Sequence, residues 1–581
     1  MHPVRRRRGS ALGFAYTMLG CTALVAMTSA AHGQAIERNP APTPQAAPQR
    51  VPAPPAADPA ADAMPLGVKL GSIAVGPGAA VAPAADGQVS LAAPRPLPRL
   101  EARLRGYLGQ PLSLQVIARI KAEIAGEWRR AGFPFVHVSA PEQDLTAGHL
   151  VLRTEEYRLG SASAEGVDAA EAARLTRAIR QKPGAPIATA PLAEDLDWLN
   201  ANPFRRVDAI FRAGKAASET DATWHVKQGR RWSIGGGYAN SGTPRTGLNR
   251  GFVQALVGVP GTDAWASYQL TTSGQNLFDV GNPPSGSRRY VSHAAHLSVP
   301  LAPRVVVDAD FGDIASTQPV DAFDARQHTQ EWSLTLRSAL SNLSASLQGD
   351  IFGGFGWTQQ RSHTLFGTTE IASSAYNVGT FTLGYGWHRY DSRGQTGFDV
   401  ALHVSPGGFG SLASDAAYSA ASNGAFGKAK FLYATGSAYR NTRFGQFTLS
   451  NVLSWQLSDA RLPQTELTGL GGRGAVRAYT LDDGTFDRSI VLRNELRREA
   501  KPLGAGALSP TWSPWVYVDG GYAGQVATGK GAHTVGAVGA GLDVNIAANF
   551  AVTADGGVAL ANQGFTRAGD VRANVRAIVR F

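Results

Sequence analysis

From residue 228 to the C-terminus, apolar and polar side chains alternate in short runs broken by Gly, Asn, Ser and Pro clusters. Val571, Ala573, Val575, Ala577, Val579 and Phe581 share one face of such a run, and Arg572, Asn574, Arg576 and Arg580 share the other. Near its start Trp232, Ile234 and Tyr238 alternate with Ser233, Gly235 and Ala239. A period of two puts successive side chains on opposite faces of a strand. One greasy and one charged face suit a wall between lipid and a water-filled lumen, because a lipid-facing arginine near the bilayer midplane costs about 2–4 kcal/mol. A strand of a soluble sandwich alternates too. Residues 228–581 number 354, which at roughly 22 residues per strand and loop gives about sixteen antiparallel strands, within the range of single-chain barrels.

Between 67 and 227 the pattern differs, with short strands among amphipathic helices. Val68 to Val75 reads as a strand. Ser113 is placed as an N-cap, Ile117, Ile120, Ile124 and Trp128 form one apolar stripe, and Gly132 stands where a helix end wants a positive φ. Phe133–Val138 and Gly148–Leu152 follow as strands. A second unit repeats the scheme: a helix over Val167–Arg180, another opened by Pro191 with Leu192, Leu196 and Leu199 on one side, then strands at Val207–Phe211 and Ala222–Val226. Two small α+β modules result, 67–154 and 155–227. Residues 34–66 are rich in Pro and Ala and read as a tether.

The first 33 residues carry Arg5, Arg6, Arg7 and Arg8, an apolar stretch from Ala11 to Met27, then small residues, which is the layout of a cleavable signal peptide. Cys21, the single cysteine, lies inside it, so the mature chain would have no thiol. The net charge is +11, and removing a leader with four Arg and no acids leaves 11 − 4, about +7. Spread along so long a chain, with no basic run interleaved with aromatics, that excess does not point to nucleic acid. After residue 33 no apolar stretch approaches the eighteen or so residues of a spanning helix, which excludes a helical membrane protein and leaves a barrel open.

Candidate catalytic chemistry is thin. Gly524 to Lys530 spells the start of a phosphate-binding loop, but Gly531 stands where Ser or Thr is required. His293 and His296, three apart in a strand, fall on opposite faces and suit no metal. The reading is therefore of a protein that is no enzyme, with no cofactor, metal or nucleotide.

The informative segment runs from Leu467 to Arg498. Its glycines (Gly469, Gly471, Gly472 and Gly474) let the backbone fold inward, and Val476-Arg477-Ala478-Tyr479 offers a charged fork between apolar anchors. Further on, Trp515-Val516-Tyr517-Val518-Asp519-Gly520-Gly521 reads as a strand whose valines face lipid and whose Asp519 faces the lumen. A bidentate Arg477–Asp519 pair would pin the loop inside the barrel. Glu495, lumen-facing if Leu492 and Leu496 face lipid, is the second candidate partner.

These residues resemble the two-partner secretion transporters, the TpsB family of haemolysin and filamentous-haemagglutinin exporters, over about 67–581. Pro183-Gly184 with Leu192, Glu194, Leu196, Leu199-Asn200 and Pro203 resembles the second periplasmic POTRA module. Asn240-Ser241-Gly242, Thr246-Gly247 and Arg250 resemble the first barrel hairpin. Leu462-Pro463, Gly471-Gly472 and Val476-Arg477-Ala478-Tyr479 resemble the V-R-G-Y tip of the long sixth loop, and Val518-Asp519-Gly520-Gly521 the strand that receives its arginine. Ala478 replaces the family's glycine, which predicts a stiffer tip.

The resemblance implies two periplasmic POTRA modules, a sixteen-strand outer-membrane barrel at residues 228–581, and an N-terminal plug helix, although residues 34–66 show no amphipathic helix to match it. The implied task is haemolysin-type secretion: capture of an unfolded exoprotein by strand edges of the POTRA modules, with Leu192, Leu196, Leu199 and Asn200 as expected client-binding residues, then passage through the pore. Partners would be that exoprotein and outer-membrane lipid. An outer-membrane assembly factor, or insertase, built from the same modules is the alternative.

Overall fold

The computed structural model describes residues 36–43, 62–78, 81–216, 218–273, 289–391, 393–472, 474–504, 509–526, 531–547 and 549–581. The expected signal peptide, most of the expected tether, and Ala527–Lys530 of the glycine-rich stretch lie outside them. The chain divides into two compact units, Pro48–Gly229 and a second made of Met1–Ala47 with Arg230–Phe581. No helix among the described residues is long and apolar enough to cross a membrane.

Pro48–Gly229 holds two α+β modules. In the first, the sheet order is Val89–Leu91, Ser72–Pro77, His149–Glu156, Val136–Ser139. The helix Leu114–Arg130 packs on it through Ile117, Ile120, Ile124 and Trp128. Ser113 caps that helix, its Oγ accepting from Val116 N at 3.2 Å, and Gly132 has φ +89°. The strand expected over Val68–Val75 is instead two, Pro65–Lys69 and Ser72–Pro77. The chain breaks at Gly71, whose N–H bonds Gly148 O and where a Cβ would lie 2.7 Å from Asp86 Oδ1.

The second module orders Arg158–Glu165, Glu219–Gln228 and Arg205–Ala213 under the helices Ala169–Ala178 and Thr189–Leu199. The first helix is shorter than its expected span because Ile179 turns extended and drops into the core. Arg158–Glu165 was not expected as a strand, since Gly160, Ser161, Ala162, Ser163 and Ala164 carry almost no apolar contrast.

Sixteen antiparallel strands close the barrel, from Trp232–Ala239 to Val571–Arg580. Trp232, Ile234 and Tyr238 are exposed on the outer face, as are Val571 and Val575, whereas Arg572, Asn574 and Arg576 are sheltered on the inner one. His293 pairs with Leu270 on the outside and His296 with Ser267 on the inside, in line with the alternation. We call the end at which Arg230 enters proximal and the opposite end distal. The closing seam is the shortest in the wall: Gly235–Ala239 pair with Arg576–Arg580 over five positions, against eight or more at every other junction of barrel strands. Asn240 prolongs it, its side chain taking Val575 N–H at 2.7 Å and donating to Ala573 O at 2.8 Å. The fifth to eighth strands (Val305–Val320, Phe323–Ala339, Asp350–Phe366, Thr369–Tyr390) have 16, 17, 17 and 22 residues and rise above their neighbours distally.

Candidate functional site: a loop and a strap inside the barrel

The distal loop between the eleventh strand (Phe447–Ser458) and the twelfth (Arg488–Arg498) turns inward. Its foot is fastened by Asp487, fully buried, which accepts from Arg461 Nη1 and Leu462 N at 2.8 Å each and from Val526 N at 2.9 Å. Gly471 lets the loop cross itself: a Cβ there would stand 2.3 Å from Thr480 O.

At the tip the expected pairing is present. Arg477 Nε donates to Asp519 Oδ2 at 2.7 Å, Nη2 to Asp519 Oδ1 at 2.8 Å and Nη1 to Glu495 Oε2 at 2.8 Å. Arg477 N also reaches Asp519 Oδ2 at 3.2 Å. The guanidinium lies 3.8 Å from the centroid of Tyr517, with Trp515 at 5.2 Å. Arg477, Asp519 and Glu495 are all buried. A planar fork meeting one carboxylate face-on and a second at its remaining nitrogen is geometry that lysine cannot supply.

Val476, Ala475, Leu470 and Tyr479 pack with Trp515, Tyr517 and Val535 as one apolar cluster. Tyr479 donates to Ala561 O at 2.9 Å and accepts from Ala561 N at 3.1 Å. Gly521 is needed for the close approach, since a Cβ there would sit 2.9–3.1 Å from Leu470, Val476 and Val535 side-chain carbons. Ala478 has φ +80°, the left-handed region that glycine occupies freely and alanine does not.

The same loop crosses the closing seam distally. Asp483, buried, accepts from Phe565 N at 2.8 Å, Thr566 N at 2.9 Å and Thr566 Oγ1 at 3.0 Å, all in the last distal loop. Its neighbour Asp482 accepts from Arg245 N at 3.0 Å, in the first distal loop. Burial pushes the Asp482 carboxyl above its ordinary value, and this outweighs the backbone hydrogen bond that lowers it.

A second feature was not foreseen in the tether. Residues Ile36–Thr43 lie within the barrel unit as a strap. Glu37 pairs with Arg250, Oε2 to Nη2 at 2.5 Å and Oε1 to Nε at 2.7 Å. Arg250 is fully buried and also donates to Gly247 O at 2.8 Å and Thr246 Oγ1 at 2.7 Å. Tyr290 OH donates to Glu37 O at 2.6 Å, and Ile36 packs on Tyr290 and Ile314. Arg38 Nε pairs with Glu331 at 2.7 Å, and its Nη2 donates to Thr465 O at 3.1 Å in the foot of the inward loop. Beside it, burial pushes the Glu466 carboxyl up while Tyr433 OH donates to it at 2.6 Å. The signal available in the sequence was the quartet Ile36-Glu37-Arg38-Asn39, two opposite charges heading a tract otherwise Pro and Ala.

Leu192, Leu196, Leu199 and Asn200 sit elsewhere than expected. The three leucines are core residues of the second module, and buried Asn200 is a structural clasp, donating to Val207 O at 3.0 Å and accepting from Val207 N at 2.7 Å. Their side chains face inward because they form the stripe that holds the helix to its sheet, so they present no surface to a client. Among the described residues no cluster of metal-ligating side chains occurs.

A family model described as haemolysin secretion/activation protein ShlB/FhaC/HecB matches residues 218–546. Among solved structures, CdiB from Escherichia coli aligns with a TM-score of 0.59 at 18% identity, covering 88% of this chain and 90% of that one. CdiB from Acinetobacter baumannii aligns with a TM-score of 0.52 at 14% identity, covering 93% and 95%. At such identities the likeness is one of fold. A search of curated protein sequences finds no match.

Proposed function

The chain belongs to the ShlB/FhaC/HecB family of outer-membrane secretion proteins, and from that membership we propose that it takes an unfolded exoprotein in the periplasm and passes it through its barrel to the cell surface. The observation that carries this reading is the lumen itself. It holds an inward loop on a buried Arg477–Asp519–Glu495 cluster and a strap on Glu37–Arg250, two contents held by ion pairs and hydrogen bonds rather than by the covalent wall. Contents bound that way can exchange for a passing chain at the cost of a few charge-assisted hydrogen bonds. In this reading the α+β modules are periplasmic and offer sheet edges to an extended client, giving sequence-tolerant capture through main-chain bonds. Folding of the client outside makes passage directional without a nucleotide.

Deleting the chain should remove one large secreted protein from the medium and leave other outer-membrane barrels at their normal amounts. Loss of many barrels from the membrane, with secretion intact, would instead mark an assembly factor and overturn the proposal.

A further inference from the structure

On the outer face of the sixth and seventh strands the side chains change character within one row. Going distally along the sixth, the outward positions run Leu336, Leu334, Trp332 and then Gln330, His328, Arg326; along the seventh they run Phe355, Trp357 and then Gln359, Arg361, His363. Trp332 stands opposite both Phe311 of the fifth strand and Trp357 of the seventh, and its ring centroid lies 5.6 Å from that of Phe355. An outward row of aromatics marks the boundary between hydrocarbon and headgroups on a membrane barrel. His328 pairs across with Arg361, four residues beyond that row on each strand. At about 3.3 Å per residue and a tilt of about 40°, they lie roughly 10 Å above the aromatics, at the depth of lipid headgroups.

Two arginines stand here without acids. Arg326 pairs across with His363 and Arg361 with His328, so the arginines are diagonal neighbours, with Cα atoms about 7–8 Å apart. Arg361 is exposed and Arg326 half-buried, and neither has an ion-pair partner among the described residues. Arg326 Nε is shut from solvent with no hydrogen-bond acceptor. The nearby carboxylates are engaged otherwise. Asp313 is held by His328 Nε2 at 3.1 Å and Gln330 Nε2 at 2.8 Å, and Glu370 by His363 Nδ1 at 2.8 Å. Asp324, two positions nearer the hairpin tip than Arg326, forms no pair with it. Near the proximal rim, by contrast, Arg440 Nη1 donates to Asp391 at 2.6 Å.

We propose that Arg326 and Arg361 clamp a phosphate group on the headgroup of a glycolipid in the outer leaflet. An unpaired guanidinium nitrogen away from water is costly, and two neighbouring cations repel. An anion held between them relieves both, and the guanidinium fork matches phosphate oxygens two at a time. The surroundings select a lipid over the free ion. Below the arginines Trp332, Leu334 and Phe355 present an apolar wall to acyl chains. Between wall and arginines Gln359 and Asn377, bonded to each other at 3.1 Å, form a polar row suited to sugar hydroxyls. A phosphate carried between acyl chains and sugars meets all of these at once. The inference takes from the transport reading only that the distal end faces the outer leaflet, and the binding is measurable without secretion.

The experiment titrates the whole chain, folded in dodecylmaltoside micelles, with phosphorylated lipid A and counts the lipid retained per barrel by native mass spectrometry. Arg326→Ala combined with Arg361→Ala is expected to weaken retention at least about tenfold, the effect of losing a hydrogen bond to a charged group. Arg389→Ala, which removes an exposed outward arginine near the proximal rim, is expected to retain the lipid as wild type does. Lipid A stripped of its phosphates should bind wild type as weakly as intact lipid A binds the alanine pair. Heat-modifiable mobility verifies that each variant is a folded barrel, and Arg326→Gln with Arg361→Gln takes the place of the alanine pair if that pair does not fold.

Equal retention by wild type and the paired variant would overturn the proposal, as would an equal loss in Arg389→Ala. Displacement of lipid A by inorganic phosphate at the same concentration would mark a site for the free anion and overturn it too. Secretion lowered by the paired variant with lipid A retention undiminished would assign the arginines to the exported chain instead of the lipid. If deletion of the transporter removes no protein from the medium while the paired variant still loses lipid A, the transport reading fails and the lipid site stands.

Discussion

At the scale of single residues, Arg477 joins the inward loop to two strands of the wall through one side chain. Its three nitrogens serve two buried carboxylates and its face stacks on Tyr517. Arg477→Ala takes from buried Asp519 the guanidinium that both of its oxygens accept from, while Glu495 keeps Arg497 Nη2 at 2.8 Å, a loss of about 3 kcal/mol or more. The expected outcome is a folded, inserted barrel whose inward loop becomes cleavable by protease in intact cells and whose secretion is lost. Normal secretion would remove the latch from the mechanism. Arg477→Lys should fall nearer to alanine than to wild type, since one ammonium cannot bridge both acids in the same plane. Ala478 supplies the opposite experiment. Its φ of +80° costs an alanine about 1–2 kcal/mol, so Ala478→Gly is expected to dock the tip more firmly, seen as slower proteolysis of the loop. The latch residues were legible because each breaks a local rule: glycines crowd a long loop, and a lone acid interrupts a strand of valines and aromatics. Leu192, Leu196 and Leu199 were misplaced for the converse reason. Helical periodicity marks a buried stripe and a binding stripe alike, and only packing tells them apart.

At the scale of elements, the strap and the seam show where loop and wall are tied. Arg250→Ala removes the partner of Glu37 along with four hydrogen bonds to the first distal loop, to Thr246 O, Thr246 Oγ1, Gly247 O and Asn249 O. The strap should then leave the lumen more often, and single channels in planar bilayers are expected to open more frequently than wild type. Unchanged conductance would show that the strap does not obstruct the lumen. The strap was illegible in the sequence because a Pro- and Ala-rich tract has no period from which burial can be read, and its anchors lie more than two hundred positions away.

The seam offers a test with a sign. A carboxyl held above its ordinary value contributes stability below that value and loses it as pH rises through the folded one. Burial raises Asp482, so at neutral pH its charge is a cost to the docked state, whereas Asp483 holds the last loop with three hydrogen bonds. Asp482→Asn is expected to leave trypsin cleavage after Arg245 unchanged or slower. Asp483→Ala should speed cleavage after Arg567, with at least about 2–3 kcal/mol lost, the worth of a hydrogen bond to a charged group.

For the whole molecule the decisive feature is the sidedness of the wall. The outward set of the first and last strands could be read from period-2 alternation, since lipid and water each enforce one face, and the number of strands followed from the length of the alternating stretch. The tall distal ridge and the short seam could not, because both depend on where pairing stops, and partner length is a nonlocal property that no single strand encodes. Sidedness makes a clean comparison between neighbours in one strand. Leu334 is half exposed on the outer face and stands between Trp332 and Leu336, which are also outward, while Thr335 points the other way. Leu334→Arg puts a guanidinium against lipid and should cost about 2–4 kcal/mol toward the midplane. Thr335→Arg puts the same group into water and should cost little. Refolding both into lipid vesicles and following the fraction that keeps its heat-modifiable mobility would measure the difference. A wall that lies in a bilayer penalises only the first. Equal tolerance would mean that both faces meet water, and a barrel wet on both sides could not be the pore through an outer membrane on which the latch and the strap both depend.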